Sequence, residues 1–347
     1  MKRIAFVSLM LMTLIVMTFT SCATTVGFDV LKPAEVNMSD YRTLAVFDYE
    51  PYEISDEVFA GKMIIDLLFG DSVKTTGYRL GLDEDIADYM TERTIRTLNN
   101  TNYFTVVSQE QFAPYRNSTA VALLSNRVMY DSLGIEAAVM GTIEDMDYNE
   151  RVEEREVNVW NSVTETYDVF LENYYVQEVE LGVSYTVVDL KRGIILATKY
   201  MSGNEYRDTL IENENTFEAP LLEPLYQRIA RGFESTISRQ LAPYYVREYR
   251  SLKDDKTKDP RSEIAEEYIK NSQYDQALDI YLDLWYSSRN MAAGFNAAII
   301  FEVLGQFDSA IGIMEEVHGQ THNPDAYTEL LRLQKVKDEY TKAASQY

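Results

Sequence analysis

The sequence predicts two kinds of structure in succession: an α/β (α+β) domain of sheet and helices, followed by an all-α domain of helical repeats. Apolar strand patterns alternate with helix patterns as far as Pro243. Beyond that proline, a set of small and apolar residues recurs at a constant spacing. The length of 347 residues suits two or three compact units, and 46% hydrophobic with 25% charged residues is ordinary for a globular chain.

A secretory leader is predicted for residues 1–21. Lys2 and Arg3 precede an apolar stretch from Ile4 to Phe19, which is the order of a signal peptide. That stretch falls short of the ~20 apolar residues that a bilayer span needs. The sequence therefore favours a leader over a permanent transmembrane anchor.

Cys22 follows the leader and is the only cysteine of the chain. The run Phe19, Thr20, Ser21, Cys22 resembles a bacterial lipobox, whose cysteine receives diacylglycerol, although Phe19 stands where an aliphatic residue is usual. A single cysteine cannot form an internal disulfide in an oxidising compartment. We therefore expect lipid attachment at Cys22 and a lipidated tether over residues 22–40. The alternative is a leader removed, with its cysteine, by ordinary cleavage.

The α/β domain is predicted for residues 41–250. Its expected strands are Arg42–Glu50, Tyr103–Val107, Ala137–Tyr148, Tyr174–Val188 and Ile194–Tyr206. Its expected helices are Asp83–Leu98, Thr119–Leu133 and Pro224–Ala242, the last of them ended by Pro243. The segment Asp189–Gly193 has a hairpin signal, with a glycine available for a left-handed position.

These strands resemble a recurring domain of bacterial lipoproteins. The resemblance lies in Tyr103–Val107, in Ala138–Thr142 followed by the Asp189–Ile195 hairpin, and in Lys32–Val36 before the first strand. Such a domain occurs in the curli-secretion channel and in lipoprotein activators of penicillin-binding proteins. It would cover about residues 30–245, and it implies an envelope lipoprotein.

The charged stretch from Val152 to Leu171 tests one implication of that resemblance, because a comparable insertion in the curli channel spans the membrane. A lipid-facing strand needs an apolar residue at every second position over ~9–11 residues. Between Val152 and Trp160 each face carries charged or amide side chains. We therefore expect a soluble hairpin that projects from the sheet as a contact arm.

The repeats are predicted for residues 261–347, after a charged linker over residues 251–260. Five positions with small or large apolar or aromatic residues recur 33 residues later: Ala265 and Ala298, Tyr268 and Phe301, Tyr274 and Phe307, Ala277 and Ala310, and Tyr281 and Met314. Ser272 and Gly305 occupy the matching turn position. This spacing resembles the tetratricopeptide repeat. A last helix from Asn323 to about Lys342 resembles a cap. Two repeats are fewer than usual, so we expect them to dock on the first domain or on a partner.

The charge of the chain argues against nucleic-acid binding. Its 56 acidic residues outnumber 32 basic ones, for a net charge of -24, and removal of Lys2 and Arg3 leaves 30 minus 56, or -26. Such a surface repels DNA, RNA and anionic headgroups.

The sequence offers no catalytic or cofactor set. The two histidines, His318 and His322, are four residues apart without a metalloprotease motif, so we expect a polar helix end and no metal site. No histidine lies in the α/β domain to serve a catalytic triad, and no phosphate-binding loop occurs. A hydrolase of cell-wall glycan that uses paired carboxylates stays open, although 56 acidic residues single out no pair.

We therefore expect an exported, non-enzymatic lipoprotein, anchored through Cys22, that binds unidentified proteins of the cell envelope as a scaffold component. The outer membrane, on its periplasmic side, is the favoured location. The alternative is an oligomeric component similar to a secretion channel.

Overall fold

A computed structural model describes residues 24–52, 78–79, 81–125, 127–213 and 216–347. The chain divides into two compact units. The sheet unit contains residues 34–244 and 346–347, and the helical unit contains the N-terminal segment to Pro33 together with residues 245–345.

The sheet unit is built on five strands in the order β3-β2-β4-β5-β6. They are β2 (Thr43–Val46), β3 (Thr105–Val106), β4 (Ala137–Asn161), β5 (Thr166–Asp189) and β6 (Ile194–Leu210). Strand β2 runs parallel to β3 and β4, with Ala45 opposite Ala138, whereas β4, β5 and β6 form antiparallel pairs. The mixed α/β content agrees with the fold class expected from the sequence.

Helices α1 (Leu82–Asn100) and α4 (Glu223–Leu241) cover one face of this sheet. Both are amphipathic, and their apolar residues pack on alternate residues of β5; the buried set includes Ile86, Met90, Leu98, Leu225, Tyr226, Phe233, Leu181, Val183, Tyr185 and Val187. A smaller core lies on the opposite face under a 3-10 helix (Gln109–Tyr115), α2 (Ala120–Leu124) and α3 (Val128–Leu133).

Two predicted elements of the sheet unit differ from the structure. The single helix expected over Thr119–Leu133 is split into α2 and α3, and α3 ends at Gly134 in the left-handed region. The strand expected over Tyr103–Val107 is only two residues long. Tyr103 and Phe104 pack into the core instead, because the chain leaves α1 in a turn there.

Strands β4 and β5 form a long hairpin that continues beyond the rest of the sheet. Leu210, the last residue of β6, pairs with Tyr174, whereas β4 and β5 stay paired as far as Asn161 and Thr166. We call the two-stranded part, residues 153–173, the arm. The hairpin expected from the charged stretch is therefore confirmed.

The helical unit contains α5 (Pro260–Lys270), α6 (Tyr274–Ser288), α7 (Met291–Val303), α8 (Phe307–Thr321) and α9 (Pro324–Ser345). The small residues that recur 33 positions apart are fully buried; they are Ala265, Ala277, Ala298 and Ala310. The matched turn positions, Ser272 and Gly305, both have positive φ, 58° and 72°. The internal repeat of the sequence is thus a repeat of helix pairs.

The N-terminal segment of the helical unit corrects the prediction of an extended tether over residues 22–40. Residues 25–32 form strand β1 (Thr25–Lys32), which pairs with β7 (Tyr244–Ser251). Val26, Phe28 and Val30 are buried against the helices. Their alternate spacing is the period of a strand with one buried face. A tether at this end is at most the part before Thr25.

The linker expected over residues 251–260 is also more ordered than predicted. Leu252 is buried in the helical core. Asp255 accepts hydrogen bonds from Thr257 N (2.9 Å), Thr257 Oγ1 (2.7 Å) and Ser262 Oγ (2.7 Å). Asp259 then caps α5 through Arg261 N. Polar side chains therefore fold this segment into a turn that begins the first helix pair.

Candidate functional site

Cys22, the predicted lipid-attachment residue, lies outside the described residues, so the structure leaves that prediction untested. Thr24 is the first described residue, and its hydroxyl donates to Glu266 Oε2 at 2.5 Å. The described part of the chain therefore begins two residues after Cys22.

Within the described ranges, no helix has both the length and the apolar character that a bilayer crossing requires.

The two histidines lie where α8 ends. His318 is in the last turn of that helix, and its Nδ1 is 3.3 Å from Asn323 O. His322 follows the helix with φ of 50°, which turns it away from the helical path. The two imidazoles are therefore not a pair on one helix face, and their ring centroids are 6.5 Å apart. Across the residues that the structure describes, no group of three or more His, Cys, Asp or Glu side chains could hold a metal ion.

Asp189 lies at the β5–β6 turn, and its side chain is completely buried. It accepts hydrogen bonds from Tyr41 Oη (2.9 Å), Lys191 N (2.8 Å), Arg192 N (2.9 Å) and the Arg192 guanidinium. Burial raises the pKa of Asp189, but the donors from Arg192, Tyr41 and Lys191 outweigh it and hold the pKa below its ordinary value. Lys191 and Arg192 belong to the turn itself and Tyr41 lies before β2, so this carboxylate has a structural role in closing the turn and holding it to that segment.

An acidic groove of about 360 Å³ lies on the sheet unit, along β4, β5 and β6. Its carboxylates include Asp147, Glu178 and Glu180, and its rim includes Tyr206. Arg151 Nη1 lies 2.9 Å from Glu178 Oε2 and holds the pKa of Glu178 below its ordinary value. The carboxylate beside that arginine is therefore ionised and paired, which does not suit a general acid.

The helical unit contains a second buried carboxylate, Glu302 of α7, which is 0% exposed. Arg332 of α9 donates to both its oxygens at 2.7 and 2.5 Å, and Arg250 of β7 donates at 2.9 and 3.2 Å. Burial lowers the pKa of Arg332, but hydrogen bonds to Glu329 and Glu302 outweigh it and keep that pKa above its ordinary value. This triad joins one strand to two helices.

The same surface of α7 also holds the chain that follows β7. Asn296 exchanges two hydrogen bonds with the backbone of Lys253, at 2.7 and 3.0 Å. Helical repeats offer such surfaces to peptides or partner helices. Here the residues from Arg250 to Lys253 occupy part of that surface, which narrows the binding face expected from the sequence.

A groove of about 330 Å³ is left beside this contact, between α7, α9 and residues 250–253. Its apolar floor is Phe295 and Ile299. Lys253 Nζ lies 5.1 Å from the Phe295 ring centroid and 3.2 Å from Asp325 Oδ2. The cation is thus already engaged by an aromatic ring and a carboxylate of its own unit.

The arm carries a group of exposed apolar side chains, which the charged character of the stretch does not predict. Trp160 is 53% exposed, Tyr167 64% and Leu171 62%, and Val169 lies between the last two on the same face of β5. Val163, in the turn, is 91% exposed. The alternation of Tyr167, Val169 and Leu171 in the sequence is the signal that indicates this stripe. It lies outside Val152–Trp160, the strand to which the lipid-face criterion applies above.

The arm nevertheless has no lipid-compatible face. On the face that bears Trp160 and Leu171, β4 contributes Glu154, Glu156 and Asn158. On the other face, Arg155 donates to Asp208 Oδ2 at 2.6 Å. The apolar side chains therefore form a stripe along β5 and not a band around the hairpin, which contradicts the requirement for a membrane-spanning strand.

No protein-family model matches the chain, and no curated protein matches it.

Several solved structures align with part of this chain, each at a TM-score below 0.5. The PelC dodecamer from Paraburkholderia phytofirmans has 10% sequence identity and a TM-score of 0.25 over 63% of this chain and 99% of that one. The hypothetical protein CT253 from Chlamydia trachomatis has 10% identity and a TM-score of 0.28 over 58% and 98%. Lipoprotein GNA1162 from Neisseria meningitidis has 10% identity and a TM-score of 0.23 over 57% and 98%. At these values the likenesses carry no argument about function, which has to come from the residues of this chain.

Proposed function

We propose that the protein is a non-enzymatic lipoprotein of the cell envelope, anchored through Cys22, whose arm binds other proteins. The exposed apolar stripe of the arm is the observation that carries this proposal. Exposed apolar groups beside charged ones are typical of protein interaction sites. The favoured location is the periplasmic side of the outer membrane.

The arm suits this role because its two strands are hydrogen-bonded to each other while its apolar side chains stay exposed. Within the arm β4 pairs with β5 without interruption, so the stripe is presented on a continuous hydrogen-bonded ladder. Trp160 also packs edge-to-face on Tyr167, with ring centroids 5.1 Å apart. Aromatic side chains that are already ordered lose little entropy on binding.

The helical unit is a second element of the proposed scaffold. We assign its helix pairs to the tetratricopeptide-like class, on the 33-residue spacing and the four buried alanines. Part of the α7 face is engaged by Lys253 of the chain itself. The arm is therefore the principal partner-binding surface in this proposal.

Mass spectrometry of the mature N-terminus tests the anchor. Wild-type protein is expected to begin at an acylated Cys22 and to fractionate with membranes. The Cys22→Ala variant should lack the lipid and leave the membrane fraction. An unmodified N-terminus beyond residue 22 in the wild type would refute the anchor.

Site-specific photo-crosslinking tests the binding arm. A photoreactive residue at Val163, in the turn of the arm, is expected to capture a reproducible set of envelope proteins in cells. Val121 of α2 is the matched control, because it is also an exposed valine, at 73%, but lies outside the arm. Equal products from the two positions, or none from Val163, would remove the arm from the proposed function.

The alternative of a secretion-channel component would need strands that face lipid. The acidic and amide residues on both faces of the arm disfavour this role. Detergent extracts imaged as single particles would decide, since rings with a central pore would support the alternative.

A further inference from the structure

The outer edge of β6 has no partner strand within the described part of the chain. Strand β6 is the last of its sheet, and it pairs with β5 from Ile194 to Leu210. Ile211 N donates to Asn173 O at 2.8 Å, so hydrogen-bonded pairs with β5 fall on alternate residues counted from there. The residues between them direct their N–H and C=O groups away from β5; they include Thr198, Tyr200, Ser202, Asn204 and Tyr206.

This edge lacks most of the features by which proteins block the addition of a strand. The stretch Thr198–Tyr206 offers about 27 Å of strand, at about 3.4 Å per residue. None of its outward-facing residues is basic or a proline. Lys199 lies on the opposite face of the sheet and pairs with Glu35 at 2.6 Å. The bulge between β5 and β6 lies at Val187 and Val188, beyond this stretch. The edge is therefore suited to accept an extended segment.

A row of acidic and amide side chains crosses the sheet to this edge. Asp147 of β4 lies opposite Glu180 of β5, and Glu180 lies opposite Asn204 of β6. Residues directly opposite each other share one face, here the face away from α1 and α4. All three line the acidic groove of about 360 Å³. A residue added beside Asn204 is the next member of this row.

The two carboxylates of the row have no counter-ion among the residues that the structure describes. Arg151, on the same face, pairs with Glu178 and Glu153 at 2.9 and 2.7 Å, and no salt bridge reaches Asp147 or Glu180. Like charges directly opposite each other destabilise a strand pair. A cation in the groove therefore relieves a repulsion that the described chain leaves uncompensated.

We propose that the outer edge of β6 binds an extended basic segment of another protein as an added antiparallel strand, with lysine or arginine at alternate positions facing the acidic groove. Strands β4, β5 and β6 already alternate in direction, and antiparallel pairing is the more stable kind. Neighbouring strands lie about 4.8 Å apart, so the Cα atom of a residue beside Asn204 lies roughly 10 Å from that of Glu180. Extended lysine and glutamate side chains meet across that distance, above the short amide of Asn204.

Charge complementarity selects this occupant. A second copy would bring a further net charge of -24 and the same row of carboxylates. A small polyamine matches the charge but leaves the N–H and C=O groups of the edge unused. A basic strand satisfies both the backbone edge and the carboxylates. This surface is separate from the arm, so the inference goes beyond the proposed function and requires neither the arm nor the anchor.

Fluorescence anisotropy with synthetic peptides tests the alternation. The probe is a labelled eight-residue peptide of alternating threonine and lysine, added to the full chain in detergent; when extended, it has all its lysines on one face. The control peptide has the same composition in the order Thr-Thr-Lys-Lys, which divides the lysines between both faces. We expect the alternating peptide to bind roughly tenfold more tightly. Equal affinities, or no binding of either peptide, would overturn the proposal.

Variants of the protein test the row. Asp147→Asn combined with Glu180→Gln removes two charges and keeps the shapes of the side chains, and it should weaken binding of the alternating peptide roughly tenfold. Glu84→Gln combined with Glu92→Gln is the matched control, because both residues are exposed on α1, on the opposite face of the sheet. Equal weakening by the two double variants would show that net charge and not the row sets the affinity, which contradicts the proposal.

Methylation of peptide nitrogens tests the strand pairing without altering the protein. In the proposed register the lysines lie opposite outward-facing residues of β6, so their N–H groups donate to β6, whereas those of the threonines face solvent. N-methylation of the two central lysines should therefore weaken binding at least roughly tenfold. N-methylation of the two central threonines should change it little. Equal affinities of the two methylated peptides would overturn strand addition.

These measurements fail separately from the test of the arm. Selective binding of the alternating peptide, without products from the photoreactive residue at Val163, would support this inference and remove the arm from the proposed function. Products from Val163 without selective peptide binding would overturn this inference alone.

Discussion

The two units each contain a completely buried carboxylate, and they satisfy it differently. Asp189 of the sheet unit takes most of its donors from the next three residues, Lys191 and Arg192 among them. Glu302 of the helical unit takes four donor contacts from Arg250 and Arg332, which are 52 and 30 residues away. One carboxylate closes a turn, whereas the other holds separate elements together.

This difference determines what each carboxylate contributes. A local cluster such as that of Asp189 can form early, because its loop is short and costs little closure entropy. The Glu302 triad can form only once β7, α7 and α9 are packed, so its loss should affect the cooperativity of the helical unit. Removing one partner of a buried ion pair is costly because it leaves the other charge without compensation.

The largest expected effect therefore comes from breaking the distant triad. Arg332→Met should destabilise the helical unit by about 3 kcal/mol, since Glu302 would keep only Arg250 as its partner. Urea unfolding followed by Trp285 fluorescence measures this, in a Trp160→Phe background that leaves Trp285 as the only tryptophan.

Lys337→Met on the same helix is the matched control. Lys337 pairs with Asp308, which is 86% exposed, so this change should leave the free energy of unfolding nearly unchanged. Similar losses in the two variants would contradict the special role of the buried triad.

The local cluster should come second. Asp189→Ala leaves the Tyr41 hydroxyl and the backbone N–H groups of Lys191 and Arg192 without their acceptor, at a cost of about 2 kcal/mol. Asp189→Asn keeps an acceptor for the two N–H groups and should lose about half as much. Hydrogen exchange of the β5 and β6 amides reports the change within the sheet unit. If Asp189→Asn were as destabilising as Asp189→Ala, the charge of the carboxylate, and not the acceptor that it offers to the turn, would be its main contribution to stability.

The one distant donor to Asp189 sharpens the comparison further. Tyr41→Phe removes the hydrogen bond that the hydroxyl donates to the carboxylate and the one that it accepts from the Arg192 guanidinium, and should cost about 1 kcal/mol. In this variant the backbone N–H groups of Lys191 and Arg192 keep the Asp189 carboxylate as their acceptor. Hydrogen exchange of these two amides should therefore change less than in Asp189→Ala. Faster exchange of those two amides in Tyr41→Phe would show that the turn depends on its distant partner.

What the sequence could predict follows the same division between local and distant contacts. The Asp189–Gly193 hairpin, α1, α4 and the 33-residue repeat were predicted because their signals lie within a few residues or recur at a fixed spacing. The arm was predicted as a hairpin for the same reason, although its apolar stripe was not found.

The misses depend on partners far along the chain. The sequence predicts a tether where the structure has strand β1. Val26, Phe28 and Val30 are buried because β1 pairs with β7, more than 200 residues later, and no local signal indicates that pairing. No local signal links Glu302 to Arg250 and Arg332. Of the candidate sites, Cys22 is predicted from a motif and stays a prediction, whereas the apolar stripe of the arm depends on the register of β4 and β5.

A similarly small effect is expected at Asp255, a third carboxylate and the second that is satisfied locally, and this effect depends on pH. Burial raises the pKa of Asp255, but hydrogen bonds from Ser262 and Thr257 outweigh it and lower the pKa from 3.8 to about 2. Since the native pKa lies below the ordinary one, the stabilisation is fully present above about pH 4 and is lost as the pH falls through 2. Because this carboxylate is partly exposed, solvent reduces the contribution to about 1 kcal/mol.

Asp255→Asn should accordingly destabilise the helical unit by about 1 kcal/mol at pH 7 and by almost nothing at pH 2. Urea unfolding of both proteins across this range, followed by Trp285 fluorescence, measures the difference. A gap between wild type and variant that stays constant from pH 7 to 2 would mean that the turn needs the shape of the side chain and not its charge. Asp255 would then differ from Asp189, in which charge-assisted bonds from Arg192 reinforce the turn.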